Sequence, residues 1–373
     1  MEAETFVKII GADFFAGVPD SQLKALCSYL FSRYGIDPRH HVIAANEGNC
    51  AALAAGYYLA SGKPAVVYMQ NSGEGNIINP LASLANAKVY AIPMLFVIGW
   101  RGEPGVHDEP QHIYQGLVTV KLMEDMEVKA FVIGPHTTEA ELAAIMEEIR
   151  PILEAGKQAA LIIRKGALQF SRQVDYKNSY LLNRERVIEH IVAQAGCAPI
   201  ISTTGKISRE LFEIRERMGL SHAGDFLTVG SMGHCSSIAL GVALHKPDKK
   251  IWCIDGDGAM LMHMGALAVI GSCKPTNLVH IVINNGAHET VGGMPTVADH
   301  LDVPTLARAC GYPYAVSVED YEHLDMELEG ARNRSELSFI EVRCQLGSRA
   351  DLGRPTGTAR ENKQKFMEYL KNL

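Results

Sequence analysis

Ile251-Trp252-Cys253-Ile254-Asp255-Gly256-Asp257-Gly258, followed by Ile283-Asn284-Asn285-Gly286, is the stretch on which the fold turns. An apolar strand that ends in Gly-Asp-Gly sets a carboxylate at the carboxyl edge of a parallel sheet, where open α/β sheets bind ligands. The flanking glycines let backbone come close to such a ligand. A helix is expected over 258–271, and its amino end can receive an anion. The next strand then carries Asn284 and Asn285 to the same edge. Asp257 and an Asn amide can thus share a hard cation that also takes diphosphate oxygens and water, and such an oxygen set suits Mg²⁺. Ordinary Asp-Gly and Asn-Gly turns would explain either dipeptide alone, but they give no reason for the two to occur at this spacing.

Working outward, short β-branched runs alternate with stretches of helical period, the pattern of strand-helix-strand units around a parallel sheet buried on both faces. Strands are expected at 41–45, 64–70, 93–100, 128–134 and 159–164, then at 199–203, 226–229, 250–255, 277–284, 314–318 and 339–343. Helices are expected at 49–60, 74–87 and 137–154, with others between the later strands. The class is α/β. A length of 373 residues suggests two domains. Lys165–Tyr180 has no sustained period and is polar, so the chain divides into a first domain at 1–170, a linker at 171–185 and a second domain at 186–373.

Composition narrows the function. With 47% hydrophobic and 21% charged residues the chain can bury a large core, and its net charge of −7 includes no basic track for nucleic acid. The longest apolar run, Tyr90 to Trp100, is broken by Pro93 and falls short of the ~20 residues a membrane span needs. The acidic start, Met1-Glu2-Ala3-Glu4, is unlike a secretory signal, so a cytoplasmic protein is expected. The eight cysteines lack any Cys-x-x-Cys spacing and read as reduced, mostly core thiols.

In the first half, Asn46-Glu47-Gly48-Asn49-Cys50-Ala51 follows an apolar strand and opens a small-residue helix, placing Glu47 at a carboxyl edge. By itself this is a solvated acid favourable to the helix dipole by about 0.3–1 kcal/mol. Gln70-Asn71-Ser72-Gly73-Glu74-Gly75-Asn76 follows the next strand. Its glycines and polar groups suit close approach to a flat ring, or simply cap the next helix.

Taken together, Gly256-Asp257-Gly258 with Asn284-Asn285, Val229-Gly230-Ser231-Met232-Gly233-His234 and Glu47 resemble the thiamine-diphosphate enzymes. The resemblance implies two doubly wound domains, one binding the pyrimidine and one the diphosphate. It implies Mg²⁺ held by Asp257, Asn285 and the carbonyl of Ala287, with Gly256, Gly258 and Ala259 beside the diphosphate. Met232 would wedge between the cofactor rings, next to Ser231 and the carbonyl of Gly230. Glu47 would share a proton with the pyrimidine, with Asn71, Ser72 and Gly73 close by.

Most members carry a middle domain, for which this chain has no room. It is most similar to the short two-domain phosphonopyruvate and sulfopyruvate decarboxylases. The similarity rests on Phe15-Ala-Gly-Val-Pro-Asp-Ser21, Gly99-Trp-Arg-Gly-Glu-Pro-Gly105, Asp108-Glu-Pro-Gln-His112, Asn284-Asn-Gly-Ala-His-Glu-Thr-Val-Gly-Gly293 and Gly347-Ser-Arg-Ala-Asp-Leu-Gly-Arg-Pro355. Met294 stands where Gln is the more frequent residue of that group.

This implies decarboxylation of a small 2-oxo acid such as 3-phosphonopyruvate. Asp20, His112 and Glu289 are candidate proton carriers, and His107, His234 and His288 are weaker ones. A phosphonate needs cations, and arginine offers forked donors. Arg101 leads that group, with Arg349, Arg354, Lys206 and Arg209 behind it. A homodimer or larger even assembly, with sites formed between subunits, is also implied. Sulfopyruvate decarboxylation, acetolactate formation and a non-catalytic nucleotide-binding α/β protein are the competing expectations.

Overall fold

The computed structural model describes residues 1–172, 174 and 176–373. The chain forms two compact units, Met1–Tyr176 with His288–Pro295, and Lys177–Ala287 with Thr296–Leu373. The division after Tyr176 lies in the stretch read as a linker, of which Gln173 and Asp175 fall outside the described residues.

The first unit holds six parallel strands, β1 (Phe15–Gly17), β2 (His41–Ile43), β3 (Ala65–Gln70), β4 (Met94–Gly99), β5 (Lys129–Ile133) and β6 (Gln158–Ile163), in the order β2-β1-β3-β4-β6-β5. The second holds β7 (Ile200–Ser202), β8 (Asp225–Leu227), β9 (Ile251–Gly256), β10 (Leu278–Asn284), β11 (Tyr314–Val318) and β12 (Ser338–Arg343). Their order, β11-β12-β10-β9-β7-β8, is that of the first sheet read from the other end, again all parallel. In each sheet the chain reverses direction across the first and third strands, so the crevice at their carboxyl ends is the natural ligand position.

The central strands are buried along their length because helices cover both faces. β4 and β10 have no half-exposed position. The core of the first unit gathers Phe6, Phe15, Leu26, Tyr68, Val97 and Leu161. Met294, fully buried, joins that core. In the second unit Ile188, Leu211, Trp252, Ile281 and Ile340 do the same. Thr138 with Glu141, and Thr358 with Glu361, form reciprocal caps that fix where their helices begin.

Several elements differ from the sequence expectation. β1 is a strand that the pattern did not disclose, because three residues running into Gly17 and Pro19 are too short to show an alternation. Helices Ala3–Ile10, Lys24–Tyr34 and Pro110–Asp125 were likewise unmarked. The helix expected over 258–271 is two, Asp257–Met262 and Gly265–Cys273, because His263 leaves the helical backbone region at φ −130°, ψ 47° and its ring packs on that of His234, with centroids 4.2 Å apart. All eight cysteines are free. Among the described residues no helix is long and apolar enough to cross a membrane.

Candidate active site

At the carboxyl edge of the first sheet, β1 leads to Asp20, β2 to Glu47, β3 to Asn71–Gly73 and β4 to Arg101. Glu47 opens a helix capped by Asn46, whose side chain accepts from the N–H of Gly48 at 2.8 Å. The Glu47 carboxyl is buried, and Asn76 donates to it at 2.6 Å. Burial raises it above the usual carboxylate range, and the Asn76 hydrogen bond only partly opposes this. Gly73 leans on this side chain so closely that a Cβ there would lie 2.5 Å from the Glu47 carboxylate. A glycine is therefore required.

Asp20 is fully buried. Its Oδ2 accepts from the N–H groups of Gln22 and Leu23 at 3.1 and 3.3 Å, while Oδ1 has no partner. Burial pushes its carboxyl up to about 6, against the opposing pull of Arg101 and the backbone donors. Gly99 makes room for it, since a Cβ there would sit 2.0 Å from Asp20 Oδ2.

Arg101, the leading cation of the sequence analysis, is gripped by Asp108 through Nε at 2.7 Å and Nη2 at 2.5 Å, and its Nη1 reaches Ser21 at 3.0 Å. Burial alone would raise the Asp108 carboxyl, but hydrogen bonds from Arg101 and Gly102 outweigh it and hold it at about 2. His112 moves the other way from the imidazolium its candidacy required, as burial and the neighbouring Arg101 lower it to about 4.

A second layer went unseen in the sequence. Asn71 donates to the Arg101 carbonyl at 2.7 Å and to Thr119 at 2.9 Å, and accepts from the Arg101 N–H. Gln115 donates to the Asn71 carbonyl and to Glu74, both at 2.8 Å. Glu74 itself is fully buried, its Oε1 unpartnered and its carboxyl pushed up to about 8 by burial. Nothing in the pattern marks Glu74 as more than a first-turn acid.

In the second unit, Asp257 begins a helix directly after β9 and is buried. Its Oδ2 accepts from the Thr296 hydroxyl at 2.6 Å, and no cationic side chain pairs with it among the described residues. Burial accordingly pushes its carboxyl up to about 7. The structure separates the two asparagines. Asn284 donates to Glu341 at 2.7 Å and accepts from the Gly286 N–H at 2.9 Å, so its amide is spent on the sheet. Asn285 Oδ1 accepts a 3.1 Å bond from the Ala287 N–H.

After β8, Ser231 takes a left-handed backbone at φ 57°, with its hydroxyl 3.0 Å from His234 Nδ1 and Met232 half-buried beside it. Ser72 lies in the short 3-10 turn after β3, Gly230 in the loop after β8, Gly256 at the end of β9, and Gly258 and Ala259 in the first turn of the helix that follows it. Glu289, half-buried, and His288, which burial lowers to about 4, lie in the 288–295 stretch of the first unit. His107 lies in the loop between β4 and the helix that carries His112.

Two of the candidate cations of the second unit are engaged within that unit. Arg349 pairs with Glu185 at 2.8 Å, with Asp351 at 3.0 Å and with Glu213. Arg209 donates to the carbonyls of Leu352 and Gly353. Both tether the 347–355 stretch, so Arg349 is a structural clamp with its charge already balanced. Lys206 opens the helix after β7, and Arg354 is exposed.

Residues 4–123 match the N-terminal TPP-binding domain of thiamine pyrophosphate enzymes, and residues 204–342 match the C-terminal TPP-binding domain. A phosphonopyruvate decarboxylase of Streptomyces viridochromogenes is 33% identical over 97% of this chain and 92% of its own. One from Streptomyces hygroscopicus is 33% identical over 96% and 91%.

The chain belongs to the thiamine pyrophosphate enzymes.

A more distant relative, a sulfopyruvate decarboxylase of Methanosarcina acetivorans, is 28% identical over 92% of this chain and 90% of its own. The cofactor of a thiamine pyrophosphate enzyme is thiamine diphosphate, with Mg²⁺ its usual partner. The donor chemistry fits both. Asp257 is a buried carboxylate with no cationic side chain paired to it among the described residues, and Asn285 brings an amide oxygen, both of them oxygen donors of the kind a hard cation takes. Glu47, buried beside a glycine that carries no side chain to crowd it, fits the pyrimidine.

Proposed function

We propose that the chain decarboxylates 3-phosphonopyruvate to phosphonoacetaldehyde and CO₂, a step of phosphonate biosynthesis. The observation that carries this is the relationship to phosphonopyruvate decarboxylases over nearly the whole of both chains. The carbon–carbon bond to the carboxylate breaks, and the carbon that bore it takes up one proton.

Thiamine diphosphate, when bound, supplies the electron sink that lets the carboxylate leave as CO₂. The chain supplies everything around it. Glu47 holds a proton against the pyrimidine, and its buried position keeps that proton from water. Gly73 and Asn76 fix its carboxyl in one place, so the cofactor meets an oriented partner. Asp257, Asn285 and the Ala287 carbonyl would hold Mg²⁺, with Thr296 orienting Asp257. Met232 would wedge between the cofactor rings. Asp20 carries the proton that completes the aldehyde. The site needs two copies of the chain, because in this family the pyrimidine and diphosphate sides come from different subunits.

The test is direct. The purified chain, supplied with thiamine diphosphate and Mg²⁺, is offered 3-phosphonopyruvate, sulfopyruvate and pyruvate side by side. Fastest CO₂ release from 3-phosphonopyruvate, abolished by Glu47→Gln, is the expected result. Preference for sulfopyruvate would favour the second reading, for which the Methanosarcina relative is the supporting observation. No release from any of the three refutes both. Light scattering of the loaded protein checks assembly, and a monomer there contradicts the shared site.

A further inference from the structure

We infer that Lys24 is the cation that receives the second charge of the substrate's phosphonate, and so sets the preference for a dianionic tail. This rests on the decarboxylase reading above and names a specificity residue within it. A phosphonate carries close to two negative charges and needs more than a neutral ion pair to hold it. Arg101, the obvious choice, is already matched by Asp108, and Asp20 adds a further acid at the same edge. Without another cation that edge repels the substrate.

Lys24 supplies one. It is exposed at the first position of the helix Lys24–Tyr34 and has no carboxylate, carbonyl or ring partner among the described residues. A cation in the first turn opposes the helix dipole, so the position does not serve the helix. It does serve an anion, which the lysine attracts directly.

The surroundings complete the case. The segment from Asp20 through Ser21 leads straight into this helix, and Ser21 takes a hydrogen bond from Arg101 Nη1. Arg101 has five N–H donors, of which three are engaged, two by Asp108 and one by Ser21, so it still has donors to offer. Asp20 Oδ1 is buried and unpartnered at the start of the same segment. On the far side, the lysine stem borders Gly292, where a Cβ would lie 3.5 Å from Lys24 Cγ. Lys24 thus follows the Asp20–Ser21 segment in the chain and packs its stem beside Gly292 of the 288–295 stretch, all within the first unit.

The test uses the holoenzyme with thiamine diphosphate and Mg²⁺, and two unreactive probes, 3-phosphonopropionate and its monoanionic sulfonate analogue. Calorimetric titration of Lys24→Met should show about tenfold or greater weakening for the phosphonate, the loss of one charge-assisted contact, and a smaller change for the sulfonate. Lys24→Arg should restore most of the phosphonate affinity. In turnover, the loss in Lys24→Met falls on KM more than on kcat. Equal phosphonate binding by wild type and Lys24→Met, or no binding by either, overturns the inference. If the wild type binds the phosphonate probe through Lys24 but releases no CO₂ from 3-phosphonopyruvate, the activity is misassigned while the anion site stands.

Discussion

Glu74→Gln should stabilise the protein at neutral pH and leave it unchanged in mild acid. Glu74 is fully buried, with one oxygen held by Gln115 and the other unpartnered, and burial pushes its carboxyl from an ordinary 4.5 up to about 8. The folded state therefore keeps a proton that the unfolded chain releases across that range. Stability is full below pH 4.5, declines as the pH climbs toward 8, and is flat beyond. At about 1.36 kcal/mol per pH unit, the wild type forgoes roughly 3 kcal/mol by pH 7 and roughly 5 kcal/mol above pH 8. Glutamine has the shape of the protonated acid, can still accept from Gln115, and does not titrate. Thermal or urea unfolding of the cofactor-free chain, run from pH 5 to pH 8.5, measures the gap. It should be near zero at pH 5 and widen steadily, with each kcal/mol moving Tm by about 2–4 °C for a unit of this size. A gap that does not change with pH, or a variant less stable than wild type at pH 8, would mean that Glu74 is ionised in the folded protein and the reasoning is wrong.

Two further predictions concern single contacts. Gly73→Ala drives a methyl into the Glu47 carboxyl and should weaken thiamine diphosphate binding at least about tenfold, as expected when an oriented charged contact is displaced, with unfolding little changed. Fluorescence titration with the cofactor checks it, and unaltered affinity refutes it. Arg215 clamps Asp225 through two 2.9 Å bonds with both side chains buried, so Arg215→Met strands a buried carboxylate and should cost about 3–5 kcal/mol in urea denaturation. A loss below about 1 kcal/mol, the value of an exposed pair, would show that water reaches the site.

The parts of this molecule visible in the sequence are those governed by local pattern. β9 and β10 are apolar runs, interrupted only by His280 in β10, that end in glycine, aspartate and asparagine, so their strand character and polar tips can be read directly. Glu47 is visible for the same reason. What stayed hidden depends on partners distant in sequence. Asn284 and Asn285 are indistinguishable until Glu341, delivered by β12, claims the first. Arg101 looks like an open cation until the turn that follows brings Asp108 back onto it. Arg349 looks the same until Glu185 and Glu213 close around it from two helices. For both arginines, a charged side chain read as available for substrate is paired with a carboxylate that no local pattern connects to it.

That pairing also bears on which group delivers the product proton. With Asp108 held ionised beside Arg101, the two charges balance, and the neighbouring groups respond to burial. Asp20 rises to about 6 and His112 falls to about 4. Near neutral pH the histidine has no proton to spare as an acid, whereas a fraction of Asp20 is protonated, and an anionic substrate close by would enlarge that fraction. If Asp20 is the acid, kcat/KM declines as pH rises through about 6, because the free enzyme loses the required proton. His112→Gln should keep that limb where it is, with a reduced rate. Asp20→Asn should flatten it and lower kcat/KM by about 100-fold or more, the usual weight of a general acid. Initial rates of CO₂ release between pH 5 and 8 for the three proteins decide the matter. Were the limb to vanish in His112→Gln and persist in Asp20→Asn, the proton would belong to the histidine, and the field of Arg101 at that ring would have to be weaker than its burial and position imply.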